Sequence, residues 1–330
     1  MTDTFRALVA RNDDGHTVAY EDLTQDALGE GDVTVAVEYS TLNYKDGLAV
    51  TNAFPIVQKY PLILGIDLAG TVLESGHEGF SAGDKVVLNG YGASEYLNGG
   101  YSQRARVSGD LLVKLPDAFT TRQAMAIGTA GYTAMLCVMS LEEGGVRPDQ
   151  GDVLVTGAAG GVGSVALALL DKLGYRPVAS TGRQSEEAFL RELGAAQVID
   201  RQTLSDNAGK PLQKELWAGV VDCVGSTTLA NALAQTRYNG VVAACGLAQG
   251  PDLPATVMPF ILRNVRLQGV DSVQAPMARR AEAWQRLAAD LDITRLEALS
   301  FDLPFSDVQE AAGQILAGQV RGRAIVDLSR

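Results

Sequence analysis

The stretch VLVTGAAGGVGSVA, Val153–Ala166, decides how the rest of the chain is read. An apolar strand runs into a turn holding Gly157, Gly160, Gly161 and Gly163, and an apolar helix leaves it. Beyond Gly161 the positions Val162, Val165, Ala166, Leu169, Leu170 and Leu173 form one helical stripe. Glycine removes the Cβ that would block a pyrophosphate. A new helix N-terminus adds free N–H groups and the positive end of its dipole. The usual G-x-G-x-x-G has Ala158 in the place of its first glycine, so the match is A-x-G-x-x-G. Such a pattern alone is a weak signal. Strand, turn and helix together predict a dinucleotide seat, with Ala159, Gly160, Gly161 and Val162 at the phosphates; the bland alternative is a tight structural turn.

Downstream, RPVAST, AQVID, GVVDCVG, GVVAACGLA and VRLQGVDS are short apolar strands, several of them separated by helical stretches. That alternation predicts an α/β fold: a doubly wound parallel sheet with helices on both faces. Upstream the texture differs. DVTVAVEYS, LILGIDLAGTVLESG, GDKVVLNG and GGYSQRARVS are strands at turn spacing, which suggest a compact β-barrel-like unit. A helical stretch, TTRQAMAIGTAGYTAMLCVMSLEEGG, follows Pro116. The tail is a helix and then a strand, and a final strand suits the first unit. The expected organisation is therefore a discontinuous barrel domain from 1–122 and 276–330, with a nucleotide-binding domain at 123–275 between.

The length of 330 residues fits two domains. A formal charge of −12 argues against nucleic acid and against anionic membranes, both of which need a broad basic face. Cys137, Cys223 and Cys245 lie far apart in apolar stretches and read as buried, reduced thiols. The start MTDTFRALVARNDDG has no signal-peptide pattern, and no apolar run approaches the ~20 residues of a membrane span. A cytoplasmic protein is expected.

The choice between NAD and NADP should fall at the end of the strand after the glycine turn. An acidic residue there accepts hydrogen bonds from the ribose 2′-hydroxyl and repels a 2′-phosphate. This chain has Ser180, Thr181, Gly182 and Arg183 instead, with Arg201 after the following strand. Hydroxyls, a backbone N–H and guanidinium groups suit a phosphate, which predicts NADPH.

STLNYKDGLAVT, PLILGIDLAGTV, GTAGYTAM, VTGAAGGVGSVA, STGR and CGLAQG give the chain a resemblance along essentially its whole length to the medium-chain dehydrogenases/reductases. Those proteins join a GroES-like catalytic domain to a Rossmann domain. Zinc-dependent members place metal ligands where this chain has Asn43, Ile66 with Asp67, and a position near Ala126. Asp46 and Asp67 alone make a poor zinc site, so no metal is expected. In detail the sequence resembles the NADPH-dependent acrylyl-CoA reductase branch, whose members are often labelled quinone oxidoreductases. The resemblance implies hydride transfer from NADPH to the β-carbon of acrylyl-CoA, giving propanoyl-CoA. Such a site needs orientation, an oxyanion donor and a proton source.

The tetrad NYKD supplies the catalytic candidates Asn43, Tyr44 and Asp46. Tyr44 is also a cofactor contact by resemblance, and Lys45 could pair with Asp46. The plain alternative is that Asn43 and Asp46 cap the helical turn that follows. Leu247, Ile261, Ser272 and Gln319 are further cofactor candidates, and Arg323, with Arg321, is a candidate for the CoA phosphates. Two other functions stay open: a quinone or enone reductase, and a non-catalytic NADPH-binding protein. By resemblance, a homodimer is expected.

Overall fold

The computed structural model of the chain describes residues 4–207 and 209–329. Eight strands come first: β1 (Phe5–Arg11), β2 (Thr17–Leu23), β3 (Val33–Leu42), β4 (Leu62–Ile63), β5 (Asp67–Ser75), β6 (Lys85–Asn89), β7 (Arg104–Val107) and β8 (Val113–Lys114), with helix α1 (Tyr44–Thr51) after β3. Helix α2 (Thr121–Glu143) leads into an alternation of β9 (Asp152–Val155), α3 (Gly161–Lys172), β10 (Arg176–Thr181), α4 (Glu187–Glu192), β11 (Gln197–Asp200), α5 (Gln202–Ser205), β12 (Trp217–Asp222), α6 (Ser226–Gln235), β13 (Thr236–Ala244), α7 (Met258–Arg263) and β14 (Arg266–Gly269). The chain ends through α8 (Met277–Asp290), α9 (Ile293–Ala298), β15 (Ser300–Pro304), α10 (Val308–Leu316) and β16 (Arg323–Asp327).

Two compact units result. One comprises Met1–Thr129, Ser272–Ala288 and Leu299–Arg330; the other comprises Ala130–Asp271 and Ala289–Ala298. The junctions between them fall at 129/130 and 271/272. Local contacts account for each. Thr129 is tied to Asp67 by its N–H and its hydroxyl, at 2.9 and 2.6 Å. Ser272 and Val273 are held by the guanidinium of Arg280, at 3.0 Å each. Residues 289–298 join the second unit, where Arg295 pairs with Asp171 at 2.6 Å.

In the first unit, one sheet runs β15-β16-β3-β5-β6-β8 with β7 also pairing β3, and a second runs β2-β1-β4. The terminal strand β16 lies antiparallel to β3, with Ala324 opposite Leu42. Leu8, Val35, Leu68, Val86, Tyr101, Phe305 and Val326 are among the side chains of its core. In the second unit a six-stranded sheet has the order β11-β10-β9-β12-β13-β14, all pairs parallel. The order reverses between β9 and β12, the topological switch point of a Rossmann sheet.

Helix α2 is apolar and long enough to cross a membrane, but 89% of its most apolar window is buried inside the protein. The expectation that no apolar run reaches that length was too strict; burial makes α2 a core helix. It is kinked at Gly128, where φ is 49°. A Cβ there would lie 2.5 Å from Arg323 Nη2 and 3.0 Å from Asp67 Oδ2, so both backbone conformation and close approach demand glycine.

Candidate active site

In the second unit, β9 ends in the glycine turn and α3 begins at Gly161 with Gly160 as its N-cap. Gly160 has no side chain to cap the first N–H groups of α3, which leaves them for an anion. A Cβ on Gly163 would stand 2.5 Å from the Gly157 carbonyl oxygen, so this glycine packs the new helix against the turn. The N–H of Ala158 donates to Ser180 O at 3.2 Å, tying the turn to the end of β10.

At that strand end, Ser180 and Thr181 are buried and Gly182 is exposed. The Thr181 hydroxyl accepts from the N–H of Arg183 at 3.1 Å. The stem of Arg201 crosses Gly182 so closely that a Cβ there would meet Nε at 2.4 Å. Neither the Arg183 nor the Arg201 guanidinium has a hydrogen bond or ion pair among the described residues. Two guanidinium groups without a protein acceptor thus flank an open glycine in a chain of net charge −12.

The NYKD tetrad behaves differently. Asn43 precedes α1, and the Asp46 carboxylate accepts from its N–H at 2.8 Å and from its Nδ2 at 3.1 Å, closing the first helical turn. The other Asp46 oxygen accepts from Ile66 N at 2.9 Å. Asn43 Nδ2 also donates to Asp67 Oδ2 at 2.8 Å. Asp67 further accepts from Asn89 Nδ2 at 2.7 Å and from Thr129. Arg323 completes the network: it donates to Ala126 O at 2.9 Å, Thr41 Oγ1 at 2.7 Å and Asn43 Oδ1 at 3.3 Å.

Two carboxylates and one guanidinium lie within electrostatic reach of one another here, all of them buried. Burial, and then the neighbouring Asp67 charge, push the Asp46 carboxyl up to about 7, against the hydrogen bonds from Asn43 and Ile66. Burial lowers Arg323 to about 10 although both aspartates oppose the shift, so it stays a cation at neutral pH.

This network corrects three expectations. Arg323 is 2% exposed and spends its donors on the protein, so it is no contact for CoA phosphates. Asp46 is wholly buried and does not pair with Lys45, whose ammonium meets Glu95. It holds the loop instead of touching reacting atoms. Asn43 spends both Nδ2 protons on Asp46 and Asp67 and has none left for an oxyanion. Tyr44 alone of the three candidates presents its side chain, at 47% exposure.

Leu247 and Ile261 are exposed on the second unit, and Gln319 is exposed on the first. Ser272 is half-buried, its carbonyl engaged by Arg280. Thr129, Asn89 and Thr41 were not foreseen. Nothing in their local sequence marks them, and only the fold shows that they converge on Asp67 and Arg323. Thr156 was also missed; its hydroxyl donates to the buried Asp222 at 2.7 Å, just before the glycine turn.

The positions aligned with zinc ligands in related proteins do not fit that metal. Both oxygens of Asp67 are occupied by N–H and O–H donors, and a guanidinium fills the space beside Asn43. Among the described residues no group of three or more His, Cys, Asp or Glu is placed to hold a metal ion.

Residues 29–117 match the family of alcohol dehydrogenase GroES-like domains, and residues 161–289 match the zinc-binding dehydrogenases. The chain is 52% identical over 328 residues to the acrylyl-CoA reductase AcuI of Ruegeria pomeroyi, covering 98% of this chain and 99% of that one. The crystal structure of the yhdH oxidoreductase from Salmonella enterica in complex with NADP matches with a TM-score of 0.95 at 51% identity, over 98% of this chain and 99% of that one. The Bacillus subtilis protein yhfP, with NAD bound, matches with a TM-score of 0.94 at 44% identity, over 98% and 99%.

Proposed function

The chain belongs to the medium-chain dehydrogenase/reductase superfamily, and on that premise we propose that it reduces acrylyl-CoA to propanoyl-CoA with NADPH. The observation that carries this reading is the 52% identity, along nearly the full length of both chains, to an acrylyl-CoA reductase. NADPH, when bound, supplies the hydride that goes to the β-carbon of the acyl group.

The chain's own residues hold and orient. Ala159, Gly160, Gly161 and Val162 admit the pyrophosphate to the N-terminus of α3. Gly182, Arg183 and Arg201, with Ser180 and Thr181 behind them, hold the 2′-phosphate. Leu247, Ile261, Ser272 and Gln319 are assigned to the rest of the cofactor. Tyr44, whose phenol is exposed, is assigned to the cofactor by the family resemblance. Asn43 and Asp46 position it by locking the first turn of α1. Developing charge on the thioester oxygen is met by hydrogen bonding, with no metal step.

The proposal includes a cytoplasmic homodimer. Free Cys137, Cys223 and Cys245 suit a reducing compartment. Among the described residues β14 is an edge strand paired only with β13, and the neighbouring α7 exposes Ile261 and Leu262. A second copy adding its own edge would cover the strand and Leu262.

The test is the decay of NADPH absorbance with acrylyl-CoA, with a quinone, and with buffer alone. Turnover with acrylyl-CoA well above quinone is the expected result. Turnover with quinones alone would overturn the acyl-CoA assignment, and NADPH binding without turnover of any acceptor would overturn the enzyme reading.

A further inference from the structure

Three cysteines that are far apart in sequence meet in the second unit. Cys223 follows β12 and Cys245 follows β13, neighbouring parallel strands with Asp222 opposite Ala244. Their sulfurs are 3.9 Å apart. Both residues are half-buried, whereas Cys137 behind them, in α2, is completely buried.

The place matters as much as the distance. The N–H of Cys223 donates to Thr156 Oγ1 at 3.0 Å, directly before the glycine turn. A Cβ on Gly157 would stand 3.4 Å from Cys223 Cβ. After Cys245, Gly246 lets the chain approach so closely that its Cβ would sit 2.3 Å from Cys223 O. The thiols therefore lie at the carboxyl ends of β9, β12 and β13, beside the switch point where Rossmann sheets take their dinucleotides.

We propose that Cys223 and Cys245 form an oxidisable dithiol, a modification site that closes to a disulfide under hydroperoxides and that bound NADPH protects. One thiolate attacks a peroxide oxygen and becomes a sulfenic acid as the O–O bond breaks and water leaves. The second sulfur displaces the sulfenic oxygen as another water. Two electrons pass from the two thiols to one peroxide, and the products are the disulfide and two waters.

The geometry favours this pair. A disulfide needs sulfurs about 2.0 Å apart, so the two must approach by roughly 2 Å, and Gly246 next to Cys245 gives backbone freedom for that shift. Cys137 lies away from solvent, which directs a soluble oxidant to the other two. Reactivity also has a direction. Thiols of Cys137 and Cys223 donating toward the Cys245 sulfur hold Cys245 well below the ordinary thiol range, and both donors are pushed up. In its thiol form Cys245 donates to Asp222 O at 3.4 Å.

Closure would draw together the segments after β12 and β13, including the run to Leu247, and reshape the wall beside the glycine turn. Oxidation is therefore expected to weaken NADPH binding, and by linkage NADPH is expected to slow oxidation. Only this protection rests on the NADPH reading; disulfide formation does not.

The experiment treats the full chain with hydrogen peroxide, with and without saturating NADPH, and follows intact mass and peptide maps without reductant. The expected product is about 2 Da lighter, retains Cys137 as its one free thiol, joins the Cys223 and Cys245 peptides, and reverts with dithiothreitol. NADPH should slow its formation about tenfold or more. Cys245→Ser and Cys223→Ser should each abolish the product, and Cys137→Ser should keep it. Isotope-coded alkylation of the unsubstituted protein identifies the same two thiols if a variant fails to fold. Overoxidation without a cross-link or a bridge to Cys137 would overturn the dithiol, and a rate indifferent to NADPH that fluorescence titration shows to be bound would overturn the protection. Acrylyl-CoA turnover by the unoxidised protein is measured separately, so failure of the catalytic assignment is not mistaken for failure of the dithiol.

Discussion

The Asn43–Asp46–Asp67–Arg323 network and the Thr181–Arg183 turn both gather polar groups at the end of a strand, yet their donors are used in opposite ways. Around Asp67 every donor has an acceptor inside the protein: Asn43, Asn89 and Thr129 converge on one carboxylate. Around Gly182 the guanidinium groups of Arg183 and Arg201 have no partner among the described residues. A buried polar group is costly until satisfied, so a closed network fixes a shape. Exposed donors without protein acceptors are available for a ligand. The difference separates a cluster that builds the molecule from one that keeps donors free and is proposed to bind the 2′-phosphate.

Breaking the closed cluster should produce the largest effect. Arg323→Met leaves Ala126 O, Asn43 Oδ1 and Thr41 Oγ1 without their buried donor, and Asp67 and Asp46 without the positive charge near them. A buried acceptor left unsatisfied costs about 1–3 kcal/mol, so the loss of all three bonds should appear in urea unfolding. A change below about 1 kcal/mol would mean that the network is not closed.

A second effect, smaller, comes from Asp46. Its pKa rises from 3.8 to about 7 in the folded chain. Between those values the folded protein binds a proton that the unfolded chain has released. Stability contributed by this group therefore falls as pH rises from about 4 to about 7, then levels off. The span is on the order of a few kcal/mol. Asp46→Asn should remove this part of the slope in unfolding measured from pH 4.5 to 8, while weakening the acceptor set of the loop at all pH values. An unchanged slope would show that another group carries it; Asp222, pushed up to about 6 mainly by burial, is the comparison to make.

What could be read in the sequence follows from range. The glycine turn is a local feature: strand, glycines and apolar stripe lie within Val153–Leu173, and the sheet reproduces the expected alternation. The tetrad is not local. Asn43 and Asp46 were legible as polar residues after a strand, but their role depends on Asp67, 24 residues beyond Asn43, and on Arg323, 280 residues beyond it. Only the return of β16 alongside β3 shows that Arg323 is a counter-ion and not a surface arginine. The Cys223–Cys245 pair was hidden for the same reason, because strand adjacency rather than spacing brings the thiols together.

The open cluster gives the smallest and most selective effect. Arg183 is half-buried, and its own N–H is already fixed by Thr181, so its guanidinium can be changed without removing a protein contact. Arg183→Asp replaces the proposed hydrogen-bond donor to the 2′-phosphate with the kind of side chain that accepts from a ribose 2′-hydroxyl. A charge-assisted hydrogen bond contributes about 1.5–3 kcal/mol, so NADPH affinity should fall roughly 10- to 100-fold while NADH affinity stays within about twofold, and the urea midpoint should not move. The yhfP relative with NAD bound makes this more than a formality, because its whole-chain likeness at 44% identity shows that the same fold accommodates a cofactor without the phosphate. Titration of both nucleotides by fluorescence decides it. Equal losses for the two would mean that Arg183 supports the turn as Arg323 supports the tetrad, and the contrast between a cluster that builds and a cluster that binds would fail at its ligand side.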